Sequence, residues 1–213
     1  MQHSNGPSAS YTLLAAAPWQ LLVPDLWVDD LEAVDLDGLR RHGIRCLLVD
    51  IDNTLIPWVE PLPDARAYRF VERARRAGLQ VVILSNARRG RRAAVAAALG
   101  VPAVRSGFKP RRSVFLAAAA LVGCRPEQAA VVGDQLWTDV LGGRRAGMFT
   151  ILVDPLGPEE SLLTRAITRP IERAVLRWLA RRGRLPAARV QARLAGRRRS
   201  VQEGRPGTGR RPG

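Results

Sequence analysis

The shape of its apolar runs constrains this chain most. Five of them, IRCLLVD (44–50), LQVVILS (79–85), VPAV (101–104), AAVVGD (129–134) and MFTILV (148–153), are rich in Val, Ile and Leu and nearly continuous. An alternating run would mark a strand with one wet face, whereas a continuous one marks a strand covered on both. Helical patterns lie between them at about 62–77, 88–99, 111–121 and 139–146, two of them stopped by glycine, in RAGLQ and ALGVP. This alternation predicts an α/β fold: a doubly wound, Rossmann-like parallel sheet with helices on both faces. In such sheets ligands bind at the carboxyl ends of the strands.

With 213 residues, 46% of them hydrophobic and 25% charged, the chain is long enough for one ordinary domain with appendages. Two cysteines, Cys46 and Cys124, make neither a disulfide framework nor a metal-ligand spacing, which fits a reducing, cytoplasmic setting. The net charge of +15 is lopsided: residues 1–160 carry 19 basic and 17 acidic side chains, residues 161–213 carry 15 and 2. An anionic partner for the C-terminal part is implied, either a membrane surface or nucleic acid. The apolar stretch YTLLAAAPWQLLV (11–23) is shorter than the roughly 20 residues a spanning helix needs and is interrupted by Pro18, so no transmembrane helix is expected. It lacks a preceding basic residue and so does not read as a secretory signal; packing against the domain is expected, with interfacial insertion the alternative.

These observations divide the chain into an N-terminal extension (1–24), a core ending in a basic amphipathic helix (25–183) and a basic tail (184–213) whose Gly, Pro and Arg content predicts disorder. The last helix, from Ile167 to Arg182, places Ile167, Ile171, Ala174, Val175, Trp178 and Leu179 on one stripe and Arg169, Arg173, Arg177 and Arg181 on another. Pro170 starts or kinks it.

The strand ends carry the polar chemistry: DIDNTL after the first run, SNA after the second, FKP beyond the third and GDQLWTD after the fourth. Asp50 and Asp52 follow an apolar run directly, and an unpaired like-charge contact at ~4 Å costs on the order of 4 kcal/mol at an effective dielectric near 20. Taken alone, the pair also suits a strand-end turn with Asn53 and Thr54 as caps. Adding Asp134 and Asp139 at another strand end makes a cation necessary, and hard carboxylate oxygens favour Mg²⁺ shared with a phosphate. Ser85 and Asn86 suit a helix N-cap and equally an anion site built from the first helical N–H groups. Lys109 is the single lysine among 34 basic residues. A phosphoryl group passing from a carboxylate to water wants a compact positive charge on a flexible stem, which guanidinium does not supply.

Together these four stretches resemble the four motifs of the haloacid dehalogenase (HAD) superfamily of phosphotransferases. VPDLWVDDLEAVDLDGLRRHGI, GDQLWTDVLGGRRAGMFTILVDP and TRAITRPIERAVLRWLARRG extend the resemblance, over about residues 20–183, to the YqeG-type subfamily of HAD class IIIA phosphatases, which is related to mitochondrial phosphatidylglycerophosphatases. The resemblance implies that Asp50 is the nucleophile and Asp52 the general acid and base. It implies that Ser85 and Lys109 hold the phosphoryl oxygens, with Thr54 and Asn86 at the same substrate site. Asp50, Asp134 and the backbone carbonyl of Asp52 would bind Mg²⁺, with Asp139 orienting or supplementing that shell. Trp137, inside the fourth motif, receives no role.

Only 31 residues separate Thr54 from Ser85 and 24 separate Ser85 from Lys109, so no inserted cap domain fits. An open site cannot by itself wall a small substrate off from water, which favours a phosphate presented by a larger body. A Mg²⁺-dependent phosphatase acting on phosphatidylglycerol phosphate, cytoplasmic and peripheral on an anionic membrane, is the leading expectation. A phosphatase for a protein, nucleic acid or soluble phosphate is the alternative enzyme. A receiver-type phospho-acceptor would lack the second acid at Asp52, and an RNA-binding protein would leave the acidic constellation unexplained, so nucleic acid is not the expected partner.

Overall fold

The computed structural model describes residues 18–104, 107–157, 166 and 168–195. Five parallel strands make one sheet: β1 (Leu26–Val28), β2 (Cys46–Val49), β3 (Gln80–Ile83), β4 (Ala129–Gly133) and β5 (Phe149–Val153), in the order β1-β5-β4-β2-β3. Continuous apolar runs form the central strands because each strand sends alternate side chains to opposite covered faces. Thus Leu47 and Val49 enter one core with Ala130, Val132 and Ile151, while Cys46 and Leu48 enter the other with Ala129 and Val131. Each Leu, Ile or Val buried in this way stabilises the fold by about 1.5–3 kcal/mol.

Helices α1 (Leu36–Arg41), α2 (Ala65–Arg76) and α3 (Arg89–Leu99) cover the first face, and α4 (Arg112–Ala120) and α5 (Leu141–Ala146) cover the second. Asp64 caps α2 by accepting from Ala67 N at 2.9 Å, and Gly100 ends α3 in the left-handed region at φ 62°. No cap domain is inserted among the described residues.

Four of the five apolar runs become strands. VPAV does not: it makes only the isolated bridge Ile83↔Ala103, because Pro102 has no N–H to give to a ladder. The fifth strand is instead β1, three residues between acidic and proline neighbours, which pairs with β5 at the sheet edge.

Beyond β5, α6 (Arg169–Arg181) begins with Pro170 in its first turn, where a missing N–H costs nothing. Its buried side is Glu172, Leu176 and Leu179, so the predicted apolar stripe is corrected: Ile171 is 49% exposed and Trp178 40% exposed. The boundary of the tail is corrected as well. Residues Ala187–Leu194 form α7, whose Val190 is buried with Leu176, Leu179 and Trp27 in a third apolar cluster at the β1 edge. A 3₁₀ turn at Pro18–Leu22 brings Trp19 and Leu22 against the same cluster. Ile167, residues 11–17 of the N-terminal apolar stretch and residues 196–213 of the predicted tail lie outside the described residues. No helix of the described residues is long and apolar enough to cross a membrane.

Candidate active site

Strand β2 ends at Val49, and the chain turns sharply through 51–56, with the N–H groups of Thr54, Leu55 and Ile56 all donating to Ile51 O. Asn53 takes φ 59°, a left-handed conformation that Asn tolerates better than most residues. This turn leaves Asp50 at the strand end and folds Thr54 underneath. Strand β4 ends next to it at Gly133, and a π-helical turn over Leu136–Val140 carries Asp139 back across the strand end. A methyl group at Gly133 would lie 2.2 Å from Asp139 Cγ, so only glycine lets that carboxylate settle here.

Lys109 reaches in from the loop before α4. Its Nζ donates to Asp50 Oδ1 at 2.7 Å and to Asp139 Oδ1 at 2.6 Å, with the residue 2% exposed. Asp134 completes the set: one oxygen each from Asp50, Asp134 and Asp139 lie within 4.8 Å of one another, all three residues buried. Three hard, convergent carboxylates fit a hard divalent cation. When bound, such a cation supplies positive charge beside a phosphate oxygen and relieves the repulsion among the acids.

Burial raises the carboxyl of Asp139 to about 7, opposed by Lys109 and reinforced by Asp50 and Asp134. Burial works against the Lys109 ammonium, yet Asp139 and Asp50 hold it above its ordinary range, so it stays charged. Asp52 is also raised, by burial first and by Asp50 second, while Arg91 opposes the shift.

A carboxyl raised on folding contributes stability that is complete below its ordinary value near 3.8 and lost as pH climbs through about 7. In chelator, the Asp139 contribution to thermal stability is therefore expected to drain away between about pH 4 and pH 7. Melting curves of wild type and Asp139→Asn across that range check this: the variant's dependence is expected to be the flatter, and parallel curves would refute it.

Several predicted site residues hold the others in place. Asn86 accepts from Lys109 N at 2.8 Å and donates to Lys109 O at 3.2 Å, clasping the lysine's backbone. Thr54 is fully buried and donates to Asp134 Oδ1 at 3.2 Å. Ser85 Oγ accepts from Ala87 N at 3.1 Å, a local cap, from a buried position beyond β3. Asp52 stands outside the carboxylate cluster and is paired with Arg91 Nε at 2.9 Å.

The C-terminal segment supplies residues that the sequence did not flag. Arg169, placed on the basic stripe by its spacing, has a side chain only 11% exposed and donates to Asp134 Oδ2 at 2.5 Å and to Glu172 Oε2 at 2.6 Å. Glu172 Oε1 accepts from Leu136 N at 2.9 Å, at the start of the turn that carries Asp139. Arg193 of α7 bonds the backbone oxygen of Asp134 and also Asp154 Oδ1, the latter at 2.8 Å. No periodicity singles out which arginine turns inward; only its contact with a residue 35 positions earlier does.

A parallel sheet with this acid–lysine centre at its strand ends defines a phosphoryl-transfer hydrolase, and the chain belongs to the haloacid dehalogenase-like hydrolases, whose family model matches residues 19–147. Within them it is similar to the "probable phosphatase YqeG" of Bacillus subtilis, 32% identical over 166 residues, covering 78% of this chain and 96% of that protein. It is 30% identical over 183 residues to phosphatidylglycerophosphate phosphatase 1, chloroplastic/mitochondrial, of Arabidopsis thaliana, covering 78% of this chain and 51% of that one. The chloroplastic phosphatidylglycerophosphate phosphatase 1 of Chlamydomonas reinhardtii is 33% identical over 173 residues, covering 76% and 62%. The chain is thus a HAD-family phosphatase of the YqeG type, a phosphoric monoester hydrolase.

Proposed function

We propose that this phosphatase uses Mg²⁺ and an aspartyl-phosphate intermediate, and that its substrate is a membrane phosphomonoester, phosphatidylglycerol phosphate, cleaved to phosphatidylglycerol and inorganic phosphate. One observation carries the chemistry: the buried Lys109 ammonium bridging Asp50 and Asp139 beside Asp134. Asp50 attacks phosphorus, and the bond to the ester oxygen breaks as Asp52 gives that oxygen its proton. Asp52 then takes a proton from water, whose oxygen attacks phosphorus, freeing phosphate and restoring the Asp50 carboxylate. Ser85 and Lys109 hold the phosphoryl oxygens in both steps. Asp50, Asp134 and the backbone carbonyl of Asp52 would hold Mg²⁺, with Asp139 orienting or supplementing that set.

The lipid rests on three supports. Two relatives carry that activity in their names. The strand ends are uncapped among the described residues, which suits a substrate presented by a larger body such as a bilayer. The C-terminal part is strongly basic, which suits a cytoplasmic protein peripheral on an anionic surface. Phosphate release with magnesium, comparing phosphatidylglycerol phosphate in mixed micelles with sugar phosphates and nucleotides, tests the reading. A lipid preference on the order of 100-fold in kcat/KM is expected. Faster hydrolysis of the soluble esters would end the lipid assignment.

A further inference from the structure

Trp137 sits two residues before Asp139 and takes no part in the chemistry, yet it is 44% exposed. It is one wall of an open groove of about 830 Å³ whose other walls are Trp19 and Leu22 of the 3₁₀ turn and Val175 and Trp178 of α6. Three of the chain's five tryptophans thus meet at one surface. A small-molecule site of this volume would be more enclosed and would carry convergent polar groups. This one is open, its polar contributors at the rim are Arg145 and Arg181, and among the described residues no acidic one lines it. Two further arginines lie over its indoles, Arg184 4.3 Å from the centre of the Trp19 ring and Arg182 5.1 Å from that of Trp178.

Half-exposed tryptophans rimmed by arginines suit the headgroup layer of an anionic bilayer. Indole rings settle at the depth of the headgroups, and guanidinium groups pair with lipid phosphates while their stems stay apolar. One wall of the groove reaches the strand ends, because the π-helical turn that carries Asp139 carries Trp137. We infer that this groove is the face by which the protein docks on an anionic lipid bilayer. The inference deepens, and rests on, the lipid-substrate reading. It differs from attraction by a basic helix or tail in requiring the indoles.

Flotation of the full chain with vesicles of equal parts phosphatidylglycerol and phosphatidylcholine tests it, since binding is read without turnover. Co-flotation is expected with these vesicles and not with pure phosphatidylcholine. Trp178→Gln is expected to weaken partitioning by about tenfold. Arg145→Gln with Arg181→Gln is expected to weaken it by about thirtyfold. Both variants are expected to keep wild-type hydrolysis of p-nitrophenyl phosphate, because none of these side chains touches the carboxylate centre. Wild-type flotation of Trp178→Gln would overturn the inference. So would a dimer that the substitution disperses while flotation persists, which assigns the groove to a second copy. Flotation that appears only after removal of residues 1–17 would assign it to the chain's own N-terminal segment and overturn docking by the full chain. Hydrolysis of phosphatidylglycerol phosphate in micelles without flotation sinks the docking face alone, whereas flotation without lipid hydrolysis sinks the substrate alone.

Discussion

Asp50→Asn is expected to lower phosphate release by at least about 10⁴-fold while leaving the cation-free protein as stable as wild type or more so. The amide keeps the volume of the carboxylate and an oxygen that accepts from Lys109 Nζ, now 2.7 Å away. It cannot attack phosphorus to form the acyl phosphate. It also removes one of three crowded negative charges, and the crowding is real: the Asp50 charge is one of the causes that push Asp139 and Asp52 upward. Activity and stability should therefore move in opposite directions, which a general disruption of the fold would not produce. Phosphate release under saturating magnesium and a melting curve in chelator, on one preparation, check both halves. More than about 1% residual turnover would remove Asp50 as the nucleophile.

The sheet was legible where burial alone dictates structure. Strands β2, β3, β4 and β5 lie inside their predicted apolar runs because both faces of each are covered, and a strand so placed can hardly be anything but apolar. Strand β1 was not legible: three residues at an edge leave no periodicity, and its pairing with β5 is made across more than 120 positions. Helix α7 was hidden by composition, since arginine, proline and glycine around it read as solvated chain. Its arginines are partly not solvated: Arg193 is held by Asp154, Glu172 and the backbone of Asp134.

The site shows the same division. Asp50, Asp134, Asp139 and Lys109 were legible as a set because like charges at neighbouring strand ends demand a compensating cation, and the structure gathers them. The hydrogen bonds that Thr54 makes to Asp134 and Asn86 to the Lys109 backbone were not, because a strand-end hydroxyl or amide serves a ligand or a neighbour equally well until the neighbour is known. Arg169 is the sharpest case. Its helical spacing matches Arg173, Arg177 and Arg181, all exposed, but its place one turn before Glu172 turns it onto Asp134.

Lys109→Met is expected to abolish turnover and to destabilise the cation-free protein by about 3–5 kcal/mol, roughly 10 °C in melting temperature. Methionine matches the length of the stem and fills the same space, so the loss isolates the ammonium. Without it Asp50 and Asp139 remain buried and unpaired, and removing one partner of such a group costs far more than an exposed pair is worth. Lys109→Arg is expected to fail as well: the two acceptors lie 2.7 and 2.6 Å from a single nitrogen in a pocket 2% exposed, which leaves no room for a planar fork. Magnesium separates the two losses, since a divalent cation bound by the three carboxylates replaces the missing charge. Saturating magnesium is expected to return most of the lost melting temperature of Lys109→Met and none of its turnover, because the phosphoryl oxygens would still lack their ammonium. Recovery of turnover together with stability would reduce Lys109 to a structural counter-ion, and that would also remove the reason for this chain to keep one lysine among its arginines.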